Sequence, residues 1–270
     1  MKQFAATIPI GIGDLIYIKG MFEPIKHEFS SINFRFHKEL ITAYHKDVAH
    51  FQFLEEFGKL LFGEAPYIVD DSPSSFLRLE QMMNLGITPH KPELASLLCV
   101  GTPLEIGPYI VINTKVREMP QSHLREQIRD FWTLLNKLSE KYKIVILGEK
   151  VIEMNPEYEV YTSDNIYSLY PHIYNNVDKD KLVDLTVPAL GITAPNLKHI
   201  QQDCLIMNQA QLVINFGIGG GFCLATAVAN TIGYRYDNDP VADVVFSKTY
   251  PNAVITKNWS NFLQTLGQYL

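Results

Sequence analysis

The sequence predicts an α/β protein made of two parallel sheets, each covered by helices on both faces, that face one another across a cleft. Three observations carry this expectation. Segments of strand character alternate with segments of helical period in both halves of the chain. Tyr109 to Asn113, Lys143 to Leu147 and Leu212-Val213-Ile214 are short apolar runs, the pattern of strands covered on both faces. Gly217, Gly219, Gly220 and Gly221 then stand between the last run and an Ala- and Leu-rich helical segment from Phe222 onward. Strand, glycines, helix is the order that turns free backbone N–H groups toward a phosphate at a helix N-terminus. The same glycines would also serve a tight turn and close helix–strand packing alone. No Lys-Ser or Lys-Thr follows them, so the P-loop pattern is excluded.

Taken in order, residues 3–10 read as a first strand, Gly11 to Asp14 as its turn, and a helix follows with Leu15, Ile16, Ile18, Met21, Phe22 and Ile25 on one buried face. Ile32, Phe34 and Phe36 alternate with polar residues, a second strand. Residues 46–62 form a helix, and Pro66 to Val69 a third strand that ends in a turn at Asp70-Asp71-Ser72. Adjacent aspartates point apart, so that stretch suits a turn better than a metal or sugar-hydroxyl site. Residues 74–108 lack a period, which places a boundary near 105 between an N-terminal domain, 1–105, and a C-terminal domain, 106–270. The second half opens with the strand 109–113 and a C-terminal loop, Thr114-Lys115-Val116-Arg117. A helix over 121–142 and a strand over 143–147 follow, then Gly148-Glu149. Tyr158 to Tyr161 and Leu182 to Leu185 are further strands, 164–176 is aromatic-rich and ambiguous, and 196–207 is a helix. After the glycine unit come strands at 231–236 and 253–256 and a terminal helix, 259–270.

The 270 residues carry a formal net charge of −6, which speaks against a nucleic-acid binder, and no apolar stretch approaches a membrane span. Cys99, Cys204 and Cys223 are odd in number and show no metal spacing, which fits a reducing cytoplasm. No charged-then-apolar leader opens the chain. The sequence has no Gly-x-Ser-x-Gly elbow and no base paired with Cys223, so nucleophilic hydrolysis is not expected. His90, His123, His172 and His199 read as surface or capping residues, with a sugar subsite at His172 beside Tyr167, Tyr170 and Tyr174 as the sharper alternative. In sheets of this kind ligands sit outside the carboxyl ends of the strands. That rule gathers Gly11 to Asp14, Thr114 to Arg117, Gly148-Glu149 and Gly217 to Gly221 around the cleft.

Gly11-Ile12-Gly13-Asp14-Leu15-Ile16 after a first strand resembles the Gly-Asp motif of glycosyltransferase family 9, the ADP-heptose:lipopolysaccharide heptosyltransferases. The strand 109–113 with its basic loop, Lys143 to Gly148, Val183 to Thr186, and Ala210 to Asn215 with its glycines are similar to that family in order. The resemblance implies two facing Rossmann-like domains of the glycosyltransferase B type. It implies a nucleotide-diphosphate sugar as donor, held by the C-terminal domain, and a saccharide or glycoconjugate acceptor at the N-terminal one. Neither a cofactor nor a metal is implied for catalysis. Asp14 takes the general-base role, with Gly11 and Gly13 on the acceptor side. Lys115 or Arg117 neutralises the leaving diphosphate, and Glu149 meets the donor's ribose or base. Thr114, Gly217, Gly219, Gly220 and Gly221 complete the donor side. The family pattern's Asp-Ser/Thr-Gly and His are replaced here by Gly217, Ile218, Gly219 and Phe222 or Cys223.

The residues leave other readings open. Asp14 also suits a helix cap, and Lys115, Arg117 and Glu149 suit a solvated surface. Two further function classes stand beside sugar transfer: a non-catalytic binding or scaffold protein that keeps the fold, and another nucleotide-binding Rossmann enzyme such as an oxidoreductase. The latter is disfavoured by the lack of a third glycine after Gly13 and of an acidic residue directly after Phe36.

Overall fold

The computed structural model describes residues 2–8, 11–37, 48–63, 67–70, 94–117, 119–152, 166–188, 196–217, 219–236 and 253–270. In chain order the elements are β1 (Lys2–Ile8), α1 (Ile12–Phe22), a 3-10 segment (Glu23–Glu28), β2 (Phe29–His37), α2 (Val48–Phe62), β3 (Tyr67–Asp70) and the single turn α3 (Ala95–Leu98). Then follow β4 (Tyr109–Arg117), α4 (Gln121–Ser139), β5 (Lys143–Leu147), β6 (Ile166–Ser168), α5 (Tyr170–Asn176), β7 (Leu182–Asp184) and α6 (Leu197–Gln209). The chain closes with β8 (Leu212–Phe216), α7 (Gly220–Val228), β9 (Thr231–Tyr234), β10 (Ala253–Thr256) and α8 (Trp259–Gly267). The predicted strand at Tyr158 to Tyr161, and Asp71 and Ser72 of the predicted turn, lie outside the described residues, as does His90.

Strands β1, β2 and β3 pair in parallel in that order. The larger sheet runs β10-β9-β8-β4-β5-β7, parallel along that path. The α/β class with parallel sheets is therefore the observed one. One strand departs from it: β6 pairs antiparallel with the tail of β4, setting Lys115 opposite Ser168, Val116 opposite Tyr167 and Arg117 opposite Ile166. This corrects the expected loop at 114–117, which is strand. The register between β4 and β8 shifts from Ile112↔Ile214 to Val116↔Phe216, so β4 holds two extra residues there. The bulge lifts the tail of β4 out of the even ladder, and β6 supplies backbone partners for it.

Side-chain alternation assigns the faces. Tyr109, Val111, Val145, Leu147 and Val213 join one apolar core with residues of α1, α2, α6 and α7. Ile110, Ile112, Ile144, Ile146, Leu212, Ile214 and Phe216 join a second with α4, α5 and α8. In the second core Phe131 stands edge-on to Phe216 at 5.3 Å, and Trp259 and Phe262 stack at 5.2 Å. Each fully buried large apolar side chain contributes about 1.5–3 kcal/mol.

Helix α1 differs from its expected one-sided burial. Leu15, Ile16, Tyr17 and Ile18 are consecutive and all at most 6% exposed. Four neighbours in a row cannot share one helix face; α1 is covered on more than one side because it packs against both α2 and α7. The first helix of the chain thus lies in the same core as a helix more than two hundred positions later.

Candidate active site

The site is built on the end of β8. Gly217 has φ +82°, and a Cβ there would lie 2.1 Å from the carbonyl oxygen of Arg117. Only glycine lets β8 turn up this close to the tail of β4. The Gly217 N–H donates to the Tyr234 carbonyl at 2.8 Å, so this amide is committed to the sheet. Gly219 then caps α7 in extended conformation, and Gly220 and Gly221 form its first turn. The helix therefore begins two residues before the expected Phe222. The first amides of a helix have no acceptor inside it.

Arg117 flanks this start: a Cβ on Gly219 would lie 3.6 Å from its Cδ and 3.9 Å from one terminal nitrogen, Nη1. From the other side comes the start of α1. A Cβ on Gly220 would stand 2.6 Å from Ile12 Cγ1, and one on Gly13 would stand 3.0 Å from Cys223 Sγ and 3.9 Å from the Gly220 Cα. The two glycine-bearing helix starts are in van der Waals contact. Helix α1 begins at Ile12 and not at Leu15, which puts Asp14 inside its first turn, where Asp14 Oδ2 accepts from the Gly11 N–H at 3.1 Å.

Cys223 ties these groups together. Burial pushes its thiol up to about 12; a hydrogen bond with Tyr17 and the charge of Arg117 pull it down, and the charge of Asp14 pushes it further up. The thiol therefore stays protonated, seated against Gly13 where the starts of α1 and α7 meet. The thiol is not a nucleophile at neutral pH.

The remaining predicted residues lie along the same rim. The Thr114 hydroxyl is fully buried and donates to the Glu149 carbonyl at 2.9 Å, as does the Ser168 hydroxyl at 2.6 Å. A Cβ on Gly148 would lie 2.7 Å from Thr114 Oγ1, so this corner is packed tight. The Glu149 side chain is half-buried, and Lys115 is exposed two residues before Arg117. The geometry thus brings Gly11, Gly13, Asp14, Arg117, Gly217, Gly219 and Gly220 to one place, with Gly221 exposed beside them. Thr114 and Glu149 stand one strand away.

Some residues escaped the sequence reading. His123, expected at the surface or as a cap, is half-buried, and its Nε2 lies 2.7 Å from the Tyr234 hydroxyl, with the Tyr236 ring 4.3 Å away. Asn113 and Asn215 bond each other beneath Gly221. Their signal was available: the apolar runs of two parallel strands are both followed by asparagine, Ile-Val-Ile-Asn113 and Leu-Val-Ile-Asn215. The His172 region forms a surface array in which Tyr170 and Tyr174 stack at 5.5 Å. There burial works against ionisation of Asp184, but bonds from Thr186, Lys150 and Tyr170 hold its carboxyl below the usual range. Among the described residues no group of three His, Cys, Asp or Glu side chains stands close enough to hold a metal ion. Among them, too, no helix is long and apolar enough to cross a membrane.

No protein-family profile and no curated protein matches the sequence. Solved structures do match its fold. E. coli heptosyltransferase WaaC with ADP has a TM-score of 0.52 at 9% identity, covering 100% of both chains. WaaC with ADP-2-deoxy-2-fluoro heptose gives 0.50 at 10% identity, covering 98% of this chain and 96% of that one. The family 9 glycosyl transferase from Veillonella parvula gives 0.48 at 11% identity, covering 100% and 92%. The two WaaC matches, at TM-scores of 0.52 and 0.50, give the chain the glycosyltransferase B-type fold. Within that class its fold is heptosyltransferase-like, in accord with the motif resemblance at Gly11 to Ile16.

Proposed function

We propose that the chain is a glycosyltransferase that moves a sugar from a nucleotide-diphosphate donor to an acceptor hydroxyl. The observation that carries this reading is the convergence of the Asp14 turn and the Arg117 side chain on the glycine start of α7. The N–H of Gly11 orients the Asp14 carboxylate, which takes the proton of the attacking hydroxyl. General-base assistance of this kind is worth roughly 10²–10⁴ in rate. Arg117 and the amides at the start of α7 stabilise the departing diphosphate, the helix terminus adding about 0.3–1 kcal/mol, or up to about 2 when partly buried. Lys115 adds charge at the edge, and Glu149 meets the nucleoside along the rim. The reaction calls on no metal in this scheme.

One observation favours a second reading, a binding protein that keeps the fold: the Ile12 side chain is seated against Gly220, where ligand would approach. Thermal shift with ADP, GDP, UDP and NAD separates the readings. Stabilisation by a nucleoside diphosphate supports transfer; response to NAD alone points to an oxidoreductase; no response leaves the scaffold.

A further inference from the structure

Strand β4 places Asn113, and β8 places Asn215, just past their apolar runs. Both share strand parity with Val111 and Val213, so both lie on the α7 face of the sheet. Asn113 Nδ2 donates to Asn215 Oδ1 and lies 3.9 Å from where a Cβ on Gly221 would stand; Met207 Sδ is its other neighbour, at 4.0 Å. Asn215 is 3% exposed, and among the described residues nothing accepts from its Nδ2. Exchanging the oxygen and nitrogen of this amide does not cure the defect: one end faces Asn113, and the other end lacks a partner either way. Buried polar side-chain atoms are rarely left so. Asn113 stands beneath the first turn of α7 with Asn215 bonded to it, and the leading amides of that helix also lack intrahelical acceptors. The pair and the helix start both offer hydrogen-bond donors, which calls for a ligand with several closely spaced oxygen lone pairs.

We infer that Asn215, held by Asn113, is a specificity-determining residue of this site, its Nδ2 donating to an oxygen of a diphosphate group. The inference rests on the nucleotide-sugar reading and adds that recognition there runs through neutral amides. Isothermal titration of the full chain with ADP, GDP, UDP and inorganic pyrophosphate tests it, in the native protein, in Asn215→Leu and in Asn215→Ser. The native protein binds at least one of the nucleotides. Asn215→Leu weakens that nucleotide and pyrophosphate alike, by about tenfold or more, the size of one lost buried hydrogen bond to a charged group. The melting temperature without ligand does not decide the matter, because the substitution removes an unsatisfied donor and also the Oδ1 that accepts from Asn113 Nδ2. Should Asn215→Leu not fold, the smaller Asn215→Ser, which cannot reach as far, decides the matter by the same titration. Native affinity in the variants means a water-satisfied structural amide and overturns the inference while leaving sugar transfer intact. Loss for the nucleotide but not for pyrophosphate overturns the assignment to the diphosphate. Failure of the native protein to bind any of the four overturns both readings.

Discussion

Asp203→Asn tests the electrostatics of a half-buried carboxylate directly. Asp203 lies on α6 beside Cys204, and burial pushes its carboxyl from 3.8 up to about 7. No hydrogen bond or ion pair from a described residue reaches the carboxylate to offset that cost. Its folded-state pKa is raised, so the folded protein holds a proton that the unfolded chain releases. Stability from this group is therefore lost as pH rises from the unfolded value toward the folded one. The difference of some three units sets an upper bound of about 4 kcal/mol, reduced by solvent screening at a half-buried side chain, accruing between about pH 4 and pH 7 and flat above. An asparagine carries no such charge, though a buried amide without partners costs about 1–3 kcal/mol of its own at every pH. The slope is thus the readout, not the offset. Calorimetric melting of both proteins across that range should show the variant gaining on the native protein as pH rises, by about 2–4 °C per kcal/mol. A gap in melting temperature that stays constant from pH 4.5 to 8 would refute the reasoning and place Asp203 in solvent.

Other expectations follow from the site. Gly217→Ala forces a Cβ against the Arg117 carbonyl at positive φ; left-handed backbone costs about 1–2 kcal/mol and overpacking about 1–3 more, read as a lower urea midpoint. Asp14→Asn should leave nucleoside-diphosphate affinity unchanged and lower turnover by about 10²–10⁴; an unchanged transfer rate removes Asp14 from the base role. Arg117→Ala should weaken nucleoside-diphosphate binding more than Lys115→Ala, since Arg117 borders Gly219 while Lys115 is exposed. Equal dissociation constants for both variants and the native chain would put the phosphate site elsewhere. Gly220→Val should loosen α1 from α7 by collision with Ile12, seen as faster hydrogen exchange in both helices.

The strands of the larger sheet were legible because burial on both faces demands unbroken apolar runs, and 109–112, 144–147 and 212–214 carry them. The tail of β4 was not, because Asn-Thr-Lys-Val-Arg has no strand pattern of its own; it is strand only because β6, itself three residues long, lies beside it. The starts of α1 and α7 were placed too late, since Ile12-Gly13 and Gly220-Gly221 are poor helix formers. Close approach of the two helices selects glycine there and overrides propensity. His123 with Tyr234, and Asn113 with Asn215, are separated by 111 and 102 positions, so only the folded chain joins them. Asp203 follows Gln201 and Gln202 and reads locally as a wet face; its burial comes from what packs onto α6.

The double coverage of α1 has a kinetic side. The ribosome releases residues 12–22 long before residues 220–228, roughly 200 codons later, which at about 5–20 residues per second is a wait of roughly 10–40 s. During that interval Leu15 to Ile18 lack the cover that α7 gives them, so nascent chains stalled before α7 should be held by chaperones or cut by proteases near the N-terminus. Removing the last fifty residues should expose that early segment as surely as damaging it.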